Sequence, residues 1–278
     1  ADAVPHCKVL RRSAETGHLN VTVLLIDLGN TALKWATLDS PDEPHTYVHG
    51  GSDTVPDSLL EVWLRLKPSR VVGCMVSSET LALTLTRFFN QHGIVWEWLH
   101  SEERFEDDFT LVNRYENSRQ LGSDRWYAAI GAAGLYPKDA QLVVHMGTAT
   151  TVDTILPEGD HLAFMGGRIL PGPLMMYESL LKGTRCRPEG VVRIEEFPLS
   201  TDAAISTGIL EAHLGVFERA LNAVRRRGFE PRFVFAGGAA PRYADFIRAE
   251  YPQAVLKHNM VLRGLALKAF LTKKGVCG

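Results

Sequence analysis

Asp124 and Arg125 stand side by side in the stretch Gly122-Ser123-Asp124-Arg125, directly ahead of an alanine-rich helical run over 126–133. Ser123 or Asp124 can cap that helix. A carboxylate at a helix N-terminus is also held ionised by the dipole, so Asp124 can accept a proton from an alcohol, while the fork of Arg125 suits a carboxylate. A second reactive stretch is Asp27-Leu28-Gly29-Asn30-Thr31, with Lys34 close behind, after the apolar residues 23–26. That run reads as a buried strand ending in a tight turn. There Gly29 lets backbone N–H groups approach a phosphate, Asn30 and Thr31 add short donors, Asp27 can hold a hydrated Mg²⁺, and Lys34 supplies counter-charge. Ordinary hairpins also close this way, so the turn gains meaning only from its counterpart later in the chain.

The second half of the chain echoes the first. Leu142-Val143-Val144-His145-Met146-Gly147-Thr148 matches Leu24-Leu25-Ile26-Asp27-Leu28-Gly29-Asn30 position for position. Two such turns would clamp a nucleotide's phosphates from opposite domains, with Thr148, Thr150 and Thr151 supplying hydroxyls and Asp153 a further carboxylate. A third strand, 233–236, ends in Gly237-Gly238, where a flat adenine or a ribose can approach the backbone.

Alternating elements must position these groups. Strand patterns over 34–38, 71–77 and 94–99 alternate with helical spacing over 59–66 and 81–89, as in α/β folds. Residues 101–120 read as a polar loop. A helix over 173–181 ends at Lys182-Gly183-Thr184. A long helix, capped by Ser200, Thr201 or Asp202, runs to Arg227, stops at Gly228, and buries Ile205, Ile209, Phe217, Leu221 and Val224. His213 on this helix reads as a packed or interfacial side chain rather than a metal ligand, since no second metal ligand stands at helical spacing. Residues 257–272 read as a closing amphipathic helix able to return to the first domain. The expected organisation is a flexible extension over 1–20, a first domain over 21–135, a second over 136–278, a hinge near 130–140, and an ATP cleft between the two domains.

Gross composition narrows the partners. The chain has 278 residues, 45% of them apolar, which is enough for two cores. A formal charge of −2 with scattered Lys and Arg leaves no footprint for nucleic acid or an anionic membrane, so small molecules are expected. Cys7, Cys74, Cys186 and Cys277 are far apart, which argues against a zinc site or disulfide framework and fits a reducing cytoplasm. No apolar run has the length of a membrane span, and residues 1–20 lack the apolar core of a signal peptide. A cytoplasmic protein is the expectation.

Two phosphate turns followed by a late strand with Gly-Gly resemble the ATP-binding folds of actin, the sugar kinases and Hsp70. Asp27-x-Gly-Asn-Thr, Gly122-x-Asp124-Arg125, Gly147-Thr148-Ala149-x-Thr151-x-Asp153, Gly166-Gly167-Arg168-Ile169-x-Pro171-Gly172 and Ser200-Thr201-x-x-Ala204-Ile205-x-x-Gly208 together resemble type III pantothenate kinase. The resemblance runs from residue 23 to about residue 270. It implies two similar ribonuclease H-like domains and the ATP-dependent phosphorylation of pantothenate's primary hydroxyl, the first step of coenzyme A biosynthesis. It places ATP phosphates and Mg²⁺ on the turn from Asp27 to Lys34, joined by Thr148. Pantothenate falls to Tyr115, Gly122, Ser123, Arg125 and Thr184, with Asp124 as proton acceptor. It further implies a homodimer, with Thr184 reaching a pocket at the subunit interface.

One position departs from the family pattern. His145 stands where an aspartate usually helps to bind a monovalent cation, K⁺ or NH₄⁺. Either His145 simply hydrogen-bonds within the site and the cation is weak or absent, or a protonated imidazole takes the cation's place. That departure is the sole support for a rival reading, an ATP-binding accessory protein of the same fold with weakened catalysis. A conformational ATPase is opposed by Arg125, because an enzyme without an alcohol acceptor has no need of a carboxylate-binding arginine beside a base.

Overall fold

The computed structural model describes residues 22–76 and 79–274. The extension expected over 1–20, together with Cys7, Ser77 and Cys277, lies outside the described residues. Two compact units divide the described residues: the first holds those up to Leu111, Tyr115–Leu135 and those from Asn259 on, the second Val112–Arg114 and Tyr136–His258.

In the first unit β1 (Val23–Leu28) turns back into β2 (Ala32–Thr37), which pairs antiparallel with β3 (His45–Val48). Helix α1 (Asp57–Leu66) leads to β4 (Arg70–Met75), parallel to β1, and α2 (Glu79–Gln91) leads to β5 (Val95–Leu99), parallel to β4. The sheet order is β3-β2-β1-β4-β5. Every residue of β1 is buried, as a central strand covered on both faces requires. Leu24, Ile26 and Leu28 pack on one face against Trp35, Trp63 and Phe89. Strand alternation puts Leu25 and Asp27 on the other.

Residues 101–120 are more structured than a polar loop. They hold β6 (Arg104–Glu106), β7 (Thr110–Asn113) and a 3₁₀ turn, Ser118–Gln120. Phe105 and Leu111 are buried while Arg104 and Glu106 face out, and Asp107 N donates to Phe109 O at 3.0 Å to close the bend between the strands. Charged residues dominate the composition because they are the exposed half of the alternation. Helix α3 (Ser123–Leu135) comes next.

The second unit repeats the plan. β8 (Gln141–Met146), β9 (Ala149–Glu158) and β10 (His161–Pro171) form an antiparallel meander, with an irregularity between Phe164 and Gly166. Helix α4 (Pro173–Gly183) and the long α5 (Thr201–Arg225) precede β11 (Arg232–Ala236), which is parallel to β8. Helix α6 (Ala240–Glu250) then leads to β12 (Val255–Leu256), parallel to β11. Five of the seven strands of the second sheet, in the order β10-β9-β8-β11-β12, match the first sheet strand for strand. This is the expected pair of ribonuclease H-like α/β domains. Ser200 caps α5, its Oγ accepting from Ala203 N at 3.2 Å. The helix ends at Arg225 rather than Arg227, with Gly228 in the left-handed region at φ 83°. Ile205, Ile209, Phe217, Leu221 and Val224 are all buried, as the spacing predicts.

Helix α7 (Met260–Lys274) belongs to the first unit and packs on α3. A Cβ at Gly131 would lie 2.2 Å from Met260 O, and one at Gly264 would lie 1.9 Å from Tyr127 O. Two backbones this close explain the alanine- and glycine-rich sequence of α3, which is buried on nearly every side from Ser123 to Ala133. Among the described residues no helix is long and apolar enough to cross a membrane.

Candidate active site

The first turn is built as its sequence predicts. β1 ends at Leu28, and Gly29 N donates to Ala32 O at 3.1 Å, which leaves Asn30 exposed at the tip and Thr31 and Lys34 half-buried. Asp27 is buried within the strand; its ladder partners are Lys34 on β2 and Cys74 on β4. The Cys74 thiol donates to Asp27 Oδ1 at 3.9 Å. Burial pushes the Asp27 carboxyl up to about 6, with the charge of Asp124 adding to the rise and Lys34 and Cys74 opposing it. Burial and the same two carboxylates push the Cys74 thiol up as well, so it stays a neutral donor. A desolvated carboxylate with one weak thiol bond fits a divalent cation held through water, because that cation restores what burial removed.

The stretch Gly122–Arg125 lies against this turn. Trp126 N donates to Gly122 O at 3.1 Å, which makes Gly122 the residue that caps α3. Neither Ser123 nor Asp124 fills that role, contrary to the capping expectation. Ser123 Oγ instead donates to Met75 O at 3.1 Å and ties the helix start to the end of β4. Asp124 Oδ1 accepts from Arg125 N at 2.8 Å. A Cβ at 122 would lie 2.6 Å from Asp124 Oδ1, so a larger residue there would push that carboxylate aside. Burial raises the pKa of Asp124, against the Arg125 N–H and guanidinium that favour its charged form. Arg125 is itself buried; its Nη1 donates to Tyr115 Oη at 3.1 Å, and its Cζ lies 5.7 Å from the Tyr115 ring centroid. Asp27, Lys34, Cys74 and Asp124 thus share one electrostatic neighbourhood, and Tyr115 meets Arg125.

The second unit gathers its own set. Gly147 N donates to Ala149 O at 3.0 Å, and Gly172 N donates to Thr148 O at 2.9 Å. His145, next to last in β8, pairs with Thr151 on β9 and Ala236 on β11. Gly237 has φ 102°, and a Cβ on it would lie 2.3 Å from Met146 O and 2.6 Å from His145 Cδ2; around Gly238 the space is open. His145, Gly147 and Gly237 are therefore neighbours. Thr184 is the exposed residue after α4, its hydroxyl donating to Leu180 O at 2.7 Å and accepting from Cys186 N at 3.1 Å. Among the described residues no three His, Cys, Asp or Glu side chains group as a metal site.

Two histidines escape sequence reasoning in their roles. His49 Nε2 donates to Gly29 O at 2.9 Å, and its Nδ1 accepts from Gly51 N at 3.2 Å. Nothing local marks it, because its carbonyl partner lies twenty residues upstream. His213 is packed, as expected, but it also reaches the second turn. Its Nδ1 donates to Ile209 O at 2.7 Å and its Nε2 meets the buried Thr150 Oγ1 at 3.0 Å. Burial lowers its pKa and keeps the ring neutral.

The family described as type III pantothenate kinase matches residues 23–223. The chain belongs to this family. Its relatives include proteins called type III pantothenate kinase in Janthinobacterium sp. (strain Marseille), 35% identical and aligned over 87% of this chain and 95% of the relative. Another is from Herminiimonas arsenicoxydans, 35% identical over 90% of this chain and 98% of the relative. Among solved structures, one described as a Baf family transcriptional activator from Campylobacter jejuni aligns over 91% of this chain and 98% of its own length, with a TM-score of 0.56 at 20% identity. At that identity the likeness speaks for the fold alone.

Proposed function

We propose that this chain transfers the γ-phosphate of ATP to the primary hydroxyl of pantothenate, releasing ADP and phosphopantothenate in the first step of coenzyme A biosynthesis. The observation that carries this reading is the half-buried Asp124 at the start of α3, flanked by the buried Arg125 with its Tyr115 partner and by Asp27. Arg125 and Tyr115 hold the pantothenate carboxylate, with Gly122, Ser123 and Thr184 completing the pocket. Asp124 takes the hydroxyl proton, the freed oxygen attacks the γ-phosphorus in line, and the bond to the ADP oxygen breaks. A carboxyl whose pKa burial has raised is a stronger base once ionised than an exposed aspartate. The turn from Asp27 to Lys34 and the Gly147-Thr148 turn receive the phosphates, and Gly237-Gly238 receives adenosine. Asp27 would hold Mg²⁺ through water, and the ion when bound neutralises phosphate charge.

A monovalent cation does not fit His145. An imidazole offers at most one lone pair and no fixed negative charge, whereas potassium calls for several hard oxygen donors. We therefore read activity as independent of potassium. A homodimer is supported by the exposed apolar side chains Ile169, Leu174, Met175, Phe197 and Leu199 in the second unit. Sedimentation of Leu174→Asp beside the wild type tests it. Cytoplasmic placement is inferred from the metabolite substrates. The deciding experiment is ADP release with ATP and Mg²⁺, with and without pantothenate, in potassium and in potassium-free buffer. Pantothenate-dependent release accompanied by phosphopantothenate is expected, and release indifferent to pantothenate overturns the reading.

A further inference from the structure

We propose that His49 is a positioning residue of the first turn, which aims the Asn30 N–H at a nucleotide phosphate. The inference rests on the reading of residues 27–34 as a phosphate turn. Gly29 O can only accept, so His49 Nε2 carries the ring proton and donates to it at 2.9 Å. Gly51 N can only donate, so Nδ1 is the acceptor, at 3.2 Å. Both ring nitrogens are thereby used, and the ring's orientation is fixed.

The loop that carries His49 is shaped for this task. Gly50 and Gly51 have φ 60° and 89°, a conformation that bends the chain back over the imidazole and that side chains resist. Ser52 N donates to His49 O at 2.9 Å, and both His49 N and Gly50 N donate to Thr31 O at 3.0 Å. Two carbonyls of the turn, those of Gly29 and Thr31, are thus drawn toward residues 49–50.

That arrangement has an electrostatic consequence. A peptide unit is planar and trans, so pointing the Gly29 C=O at His49 points the Asn30 N–H the opposite way. Because residue 29 has no Cβ, the same peptide meets less resistance to flipping once released, which would turn a carbonyl oxygen toward the phosphate in place of an amide. His49 removes that alternative without touching the nucleotide.

Three substitutions separate this role from general support of the fold. The amide nitrogen of glutamine reaches the place of Nε2, whereas the shorter amide of asparagine matches only Nδ1. His49→Phe and His49→Asn should each raise the KM for ATP about tenfold while the KM for pantothenate stays put, and His49→Gln should recover to within about threefold of wild type. Equal KM values for the Asn and Gln variants, or an unchanged KM for ATP in the Phe variant, overturn the inference. Should His49→Phe fail to fold, the Asn and Gln pair still decides it. Lys34→Ala serves as the reference. An unchanged KM for ATP in that variant overturns the phosphate-turn reading itself, whereas a raised one together with indifferent His49 variants overturns only the role of His49.

Discussion

The two units share a sheet order and a strand-to-glycine turn, yet the same place in each carries opposite chemistry. Asp27 is next to last in β1 and His145 next to last in β8. In the first unit the position holds a buried carboxylate beside a second one, Asp124, and burial leaves both short of stabilisation. In the second it holds an imidazole against the glycine of the late strand. Each turn is braced by a histidine from elsewhere: His49 binds a backbone carbonyl of the first, His213 a threonine hydroxyl beside the second. The fold requires only an apolar strand and a close-packed turn at these places. The strand-end residue can therefore vary in chemistry, and at this position the chain places a carboxylate in one unit and an imidazole against a glycine backbone in the other.

The sharpest way to break this contrast is Asp124→Asn. Turnover should fall by about two to four orders of magnitude, the span for losing a general base, with the KM values for ATP and pantothenate nearly unchanged. Steady-state kinetics check it, and near-wild-type turnover would remove the chemistry from the first unit. Close backbone approach in each unit is probed by Gly264→Ala and Gly237→Ala, whose new Cβ atoms would lie 1.9 Å from Tyr127 O and 2.3 Å from Met146 O. Each should destabilise by about 2–3 kcal/mol in denaturant unfolding, and only the second should also raise the KM for ATP.

Asp27 offers a test with a definite sign. Its carboxyl pKa is raised from 3.8 to about 6, so between those values the folded state binds a proton that the unfolded state has lost. The stability linked to that proton is present below pH 3.8 and is lost as pH rises through 6. Asp27→Asn should therefore stabilise the protein in the absence of ligands by about 3 kcal/mol at pH 7.5, and the gain should fade toward zero below pH 4. Thermal unfolding across that range measures it. In the variant, added magnesium and ATP should no longer raise the midpoint as they do in the wild type. The smallest effect concerns the second unit: wild-type turnover should be the same with potassium as with a bulky amine cation, while His145→Asp should become responsive to potassium.

Much of this is legible in the chain because its signals are local. An apolar run ending in Asp-Leu-Gly-Asn-Thr, its echo at 142–148, and the strand before Gly237-Gly238 all declare themselves within about nine residues. The long helix α5 announces its start at Ser200 and its buried face by spacing. β6 and β7 do not, since strands of three and four residues give alternation too few repeats to register. The cap of α3 also differs from its local signal: Ser123 and Asp124 have capping chemistry, but Ser123 is drawn off by Met75 and Asp124 Oδ1 accepts from Arg125 N.

By itself the sequence determined which residue types have the chemistry to meet a phosphate, a carboxylate and an alcohol, and where the backbone turns beside them. Those features depend on neighbours a few residues away, which any folded form of the chain retains. Tertiary structure alone decided how basic Asp27 and Asp124 are, why Gly131 and Gly264 bear no side chain, and that His49 reaches back to Gly29. Desolvation, close helix packing and a hydrogen bond across twenty residues exist only once distant segments exclude water from one another.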